Sequence, residues 1–169
     1  MTPRYAERTT VSVERSRNEI EQTLARYGAE QFMYGWTTHG AIVAFVVTVE
    51  SGQQRQVRFE LPLPSRDERR FQMHSRGRRT AAQAEALWEQ ACRQRWRALN
   101  LVIKAKLEAI ASGIATFEDE FLAYTMLPSG ETVGSWLAPQ MDAAYDPDRG
   151  VMPSGLRLAL PPADEEGGS

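Results

Sequence analysis

Six arginines fall within fourteen residues: Arg66, Arg69, Arg70, Arg76, Arg78 and Arg79. Asp67 and Glu68 are the only acids among them, so residues 66–79 carry +4. A guanidinium is planar, permanently charged and able to give two parallel hydrogen bonds to phosphate. Several of them together displace the counterions that surround a nucleic-acid backbone. Downstream, Arg93, Arg97 and Lys104 are spaced by four and seven, so a helix would put them on one face. The candidate nucleic-acid-binding set is Arg69, Arg70, Arg76, Arg78, Arg79, Arg93 and Arg97. Phe71 and His74 sit among these arginines and are residue types that stack on bases. The competing reading is a solvated loop, held partly by the acidic C-terminal stretch. The whole-chain charge of −2 favours that reading, because dedicated binders are usually basic as domains.

Other chemistry is thinly represented. His39 and His74 have no second His or Cys at ligand spacing, so the sequence implies no metal and no cofactor. No Gly-x-Ser-x-Gly occurs, and Arg76-Gly77-Arg78 is not a phosphate-binding glycine loop. Cys92, the single cysteine, falls within an apolar helical stripe and reads as a small hydrophobe. Glu118, Asp119 and Glu120 are consecutive, so on a helix they diverge. They fit charge compensation at a helix N-terminus better than convergence on a metal or a reacting bond. No catalytic residue emerges, although an active site assembled only by folding would leave no motif.

The elements that position these groups are clearer. Thr80-Ala81-Ala82-Gln83 has the Thr-x-x-Gln pattern of a reciprocal helix N-cap, and Gly113 supplies a stop. Between them Trp88, Cys92, Trp96, Leu99, Ile103, Leu107 and Ile110 recur at helical period. Leu87, Ala91, Ala98, Val102, Ala105 and Ala109 widen the apolar surface. Upstream, Met1 to Thr10 reads as a loose lead-in, and Ser12 as the cap of a helix ending near Tyr27 at Gly28. Three strands are expected over Gln31 to Trp36, Ala41 to Glu50 and Arg55 to Leu61. The middle one is apolar on both faces and therefore central. Short turns between them predict antiparallel neighbours. Thr116 begins a second short helix, Tyr124 to Leu127 an extended piece, and Val133 to Tyr145 a last helix troubled by Pro139.

These elements predict an α+β fold: a three-stranded antiparallel meander packed on one long helix, with an N-terminal helix and a small helical C-terminal appendage. The long helix would lay Trp88, Trp96, Leu99 and Ile103 on the sheet, and Phe117, Phe121 and Trp136 would form a second small core. The connector at 65–79 reads as a mobile loop. The domain would span 1–145, followed by an acidic, Pro/Gly-rich and disordered tail at 146–169. The longest apolar run, Ala41 to Val47, is too short to span a membrane, and no leader sequence is visible at Met1 to Arg8. A cytoplasmic location follows as the default.

Several tracts resemble a set of small uncharacterised bacterial proteins, some of them encoded by phages or prophages. They are Phe32-Met33-Tyr34-Gly35-Trp36, Trp88 to Leu99, Ile103 to Glu108, Phe117 to Leu122 and Thr132 to Leu137. The resemblance implies a mobile-element accessory protein and carries no catalytic residue. The order helix, three-stranded meander, long helix also resembles that of single-strand annealing proteins, whose DNA groove uses basic residues along such elements. The leading expectation is a non-enzymatic accessory protein that binds nucleic acid, single-stranded by preference. The alternatives are a protein-interaction or homo-oligomeric module, and an enzyme without a recognisable motif.

Overall fold

The computed structural model describes residues 5–146, with side chains described from Val13 onward. The chain falls into two compact units, residues 1–134 and 135–169. In the first, α1 (Tyr5–Arg26) leads into β1 (Ala29–Thr37), β2 (Gly40–Thr48) and β3 (Gln54–Pro62). After them come α2 (Arg69–Gln72), β4 (Met73–His74), β5 (Gly77–Arg78), α3 (Ala81–Ala111) and α4 (Phe117–Phe121). The last helix, α5 (Val133–Ala144), begins at the boundary between the units. No helix among the described residues is long and apolar enough to cross a membrane. The expected acidic tail lies outside the described residues except for Asp146.

The sheet has the expected order β1-β2-β3, antiparallel throughout. Tyr34 pairs with Val43 and Val43 with Phe59, so Phe32, Tyr34, Val43, Phe45, Val57 and Phe59 share a face. Helices cover that face. Val13, Ile20 and Leu24 of α1 and Trp96, Leu99, Ile103 and Leu107 of α3 complete one apolar core with it. Each such side chain contributes about 1.5–3 kcal/mol by leaving water. The other face is polar at β3, where Gln56, Arg58 and Glu60 alternate outward.

Both ends of α3 form from local sequence. Thr80 Oγ1 accepts from the Gln83 amide at 3.3 Å, and Gln83 Oε1 accepts from the Thr80 amide at 3.1 Å. At the other end Gly113 takes φ of 70°, Gly113 N–H bonds to Ile110 O, and Ile114 N–H bonds to Ala109 O. This is the Schellman arrangement, and its left-handed position is open to glycine at no steric cost.

Four expectations need correction. First, α1 starts at Tyr5, so residues 5–10 are helical and Ser12 lies inside the helix. No Gly or Pro occurs between Tyr5 and Arg26 to stop it. Second, Phe117 and Phe121 join the main core and make no second one. Phe121 is fully buried, set edge-on to Phe45 at 5.9 Å and to Phe59 at 6.2 Å. Trp136, in the second unit, is 50% exposed. Third, Trp88 does not lie on the sheet; it stands under the connector, as described below. Fourth, the connector itself is folded. The extended piece after α4 also has a definite place: Met126 N–H bonds to Gln56 O at 2.8 Å, which docks it on the free edge of β3. In the second unit α5 runs on through Pro139.

Candidate nucleic-acid interface

Residues 65–79 form α2 and a miniature β4–β5 hairpin, with Met73 opposite Arg78 and His74 opposite Gly77. A stretch this polar folds because a few contacts anchor it. Phe71, its one buried residue, is 4% exposed. Trp88 Nε1 donates to Pro64 O at 2.7 Å. Arg66 stacks over the Trp88 ring at 4.0 Å and pairs with Glu85 at 3.0 Å. Gln72 Nε2 donates to Arg66 O, and Arg79 N–H donates to Gln72 O. His74 Nδ1 accepts the Arg76 amide at 3.0 Å and closes the hairpin turn.

These anchors sort the arginines by role. Arg66 is held by Trp88 and Glu85. Arg70 is turned onto Glu68 at 2.6 Å and over Phe71 at 4.6 Å. Arg79 is half-buried, and its Nε has no acceptor. Arg69, Arg76 and Arg78 are exposed and make no ion pair among the described residues. The connector therefore presents three unneutralised guanidinium groups on a fixed backbone. Phe71 is a buried anchor, so it cannot stack on a base as the sequence suggested. His74 is exposed, but its ring is engaged in the turn.

Arg97 belongs to a different surface. Trp88 and Arg97 are nine residues apart, and at about 100° per residue they point to opposite sides of α3. The connector sits on the Trp88 side. Arg97 falls on the side of Asn100, Lys104 and Glu108, which faces α1: Asn100 Nδ2 donates to Glu19 at 3.3 Å, and Tyr27 Oη donates to Glu108 at 2.9 Å. Arg93 pairs with Glu89 at 3.6 Å. Of the seven arginines, Arg97 thus stands on the side of α3 opposite the connector, and Arg93 is engaged by Glu89.

Beside the connector lies a cavity of about 440 Å³. Trp36, Trp88 and Trp96 line it with Val13, the turn Thr37 to Gly40, residues 63–65 and Cys92. Leu63 N–H bonds to His39 O at 3.2 Å and ties two of its walls together. Gly40 permits this: a Cβ there would stand 2.1 Å from Leu61 O. Burial pushes the Cys92 thiol up to about 11, so it stays protonated and is no nucleophile at neutral pH. Sequence reasoning missed this site because its walls come from four separate stretches. Its one signal was the pair of tryptophans, Trp36 and Trp88, that the core did not need.

No group of three or more metal-ligating side chains comes together among the described residues. Asp119 is committed to the cap of α4, accepting from the Thr116 amide at 2.9 Å and hydroxyl at 2.6 Å. Those bonds hold its carboxyl below the usual carboxylate range. Glu120 accepts from Lys106 at 3.0 Å. No protein-family model, no curated protein and no solved structure matches the chain.

Proposed function

We propose that the protein is a non-enzymatic nucleic-acid-binding protein that contacts single strands through the folded connector. Arg69, Arg76 and Arg78 make the primary phosphate contacts, and Arg70 and Arg79 flank them. The observation that carries this reading is the unequal fate of the connector arginines: some build the fold, while Arg69, Arg76 and Arg78 are presented without carboxylate partners. A backbone pinned by Phe71 and by the Trp88–Pro64 bond presents these charges in advance, which lowers the ordering cost of binding. Arg97, on the side of α3 opposite the connector, would serve a strand only if it wrapped around the helix. A mobile-element accessory role in the cytoplasm goes with this reading and rests on the sequence likeness alone.

The test is fluorescence anisotropy with labelled single-stranded and duplex oligonucleotides at about 50 and 200 mM salt, a range over which phosphate-driven affinity changes strongly. Single strands should bind at the lower salt and weaken steeply at the higher. Replacing Arg69, Arg76 and Arg78 together by Ala should weaken binding strongly and flatten its salt dependence, with the melting temperature unchanged. Failure to bind any oligonucleotide at low salt would remove the proposal.

A second reading, a homo-oligomeric or protein-interaction module, has its own observation. Ala98, Leu101, Val102 and Ala105 of α3 are exposed, with Leu101 at 61%. Apolar exposure along a helix is a common docking feature. Solution mass decides it: a dimer that Leu101→Glu converts to monomer supports this reading, and a strict monomer at high concentration counts against it.

A further inference from the structure

We infer that the tryptophan-lined cavity between the β1–β2 turn and α3 is a pocket for one unpaired nucleobase of a strand held by the connector. This inference rests on the nucleic-acid reading above and specifies where a base goes when the phosphates are bound.

Three observations point to that occupant. The first is an orphaned donor. Trp96 is 1% exposed, and its indole N–H has no acceptor among the described residues. Buried indole N–H groups ordinarily find a partner, and one without a partner costs free energy. Protein covers that nitrogen, so the Trp96 ring would have to turn for a base carbonyl or ring nitrogen in the cavity it lines to become the missing acceptor. The second is the exposed Trp36. It is 62% exposed and lies edge-on to Trp96 with ring centroids 6.2 Å apart. An indole left in water beside a cavity offers a stacking surface, and every base has a face that stacks on it. The third is charge. Arg66 lies over Trp88, a third ring of the cavity, and leads directly into the connector. A strand following the connector would bring its phosphates to the guanidinium groups and a base to the rings.

The remaining polar groups around the cavity suit a base edge. Thr38, His39 and Ser65 are exposed in its lining and carry both donors and acceptors. The volume, about 440 Å³, lies in the range of small-ligand sites and exceeds what one planar ring needs. A cationic or long aliphatic ligand fits less well: Arg66 and the connector arginines repel the first, and neither gives an acceptor to Trp96.

The test compares an oligothymidine with an abasic strand of the same length, which keeps the phosphates and lacks the bases. The intact strand should bind about tenfold more tightly, the scale of one base stacked on an aromatic ring. Trp36→Ala, at an exposed position, should remove that advantage and leave the abasic strand unaffected. Trp96→Phe, which keeps a ring and deletes the donor, should lower affinity for the intact strand alone. Equal binding of the two strands, or no effect of Trp36→Ala, would overturn the base pocket while leaving the phosphate interface standing. No binding of either strand would overturn both.

Discussion

The two ends of α3 stand about 45 Å apart and treat charge in opposite ways. At the C-terminal end three of the acids near the helix have structural work. Glu108 accepts from Tyr27, Glu120 from Lys106, and Asp119 caps α4. The Tyr27 hydroxyl is raised, first by its bond to Glu108 and then by desolvation. At the N-terminal end the carboxylates Glu68 and Glu85 neutralise Arg70 and Arg66, and of the four remaining arginines Arg69, Arg76 and Arg78 are left exposed. An acid run and a basic run of similar prominence in the sequence therefore differ in kind. One is, Glu118 apart, closed within the fold, and the other is open to an outside anion.

Mutations at the two ends should separate these roles. The largest effect belongs to the closed end: Phe121→Ala should cost about 3–5 kcal/mol in chemical denaturation, because its ring is wholly enclosed by the sheet aromatics. Lys106→Met comes next. Its ammonium donates to both the carbonyl and the carboxylate of Glu120, so the loss should be about 1–3 kcal/mol. Thr80→Ala, which removes one half of the cap at the open end, should cost about 1 kcal/mol. The smallest effect is a pH dependence. The carboxyl of Asp119 is lowered in the folded state, so its contribution is present above the unfolded value and fades as pH falls through the folded one. Wild type and Asp119→Asn should therefore converge in melting temperature on acidification and differ at neutral pH. A melting temperature that responded to Arg76 or Arg78 as it does to Lys106 would erase the contrast between the ends.

Much of the fold was legible because it is local or periodic. The cap at Thr80, the stop at Gly113, the central strand and the α3 stripe all depend on residues near one another in sequence. The connector was not legible as a folded element because its anchors are tertiary. The Trp88 bond to Pro64 spans 24 residues, and Arg66 must reach Trp88 and Glu85. Phe71 was the overlooked sign, since a lone aromatic residue in a charged stretch is more economically a buried anchor than a base-stacking surface. The helical spacing of Arg93 and Arg97 was read correctly, but it did not say that the connector packs on the Trp88 side of α3, away from Arg97. The start of α1 was misplaced because Ser12 is an acceptable cap wherever a helix begins, and only the continuous backbone from Tyr5 shows that none begins there.

The most direct measurement of the open-end claim is the salt dependence of single-strand affinity for the wild type and the Arg69, Arg76 and Arg78 triple alanine variant. Each phosphate contact on a single strand contributes about 0.7 to the slope of log K against log salt. If the three arginines each neutralise one phosphate, the variant's slope should be shallower by about 2, with folding intact. Wild-type binding with the same slope as the variant, or no wild-type binding at about 50 mM salt, would contradict the account.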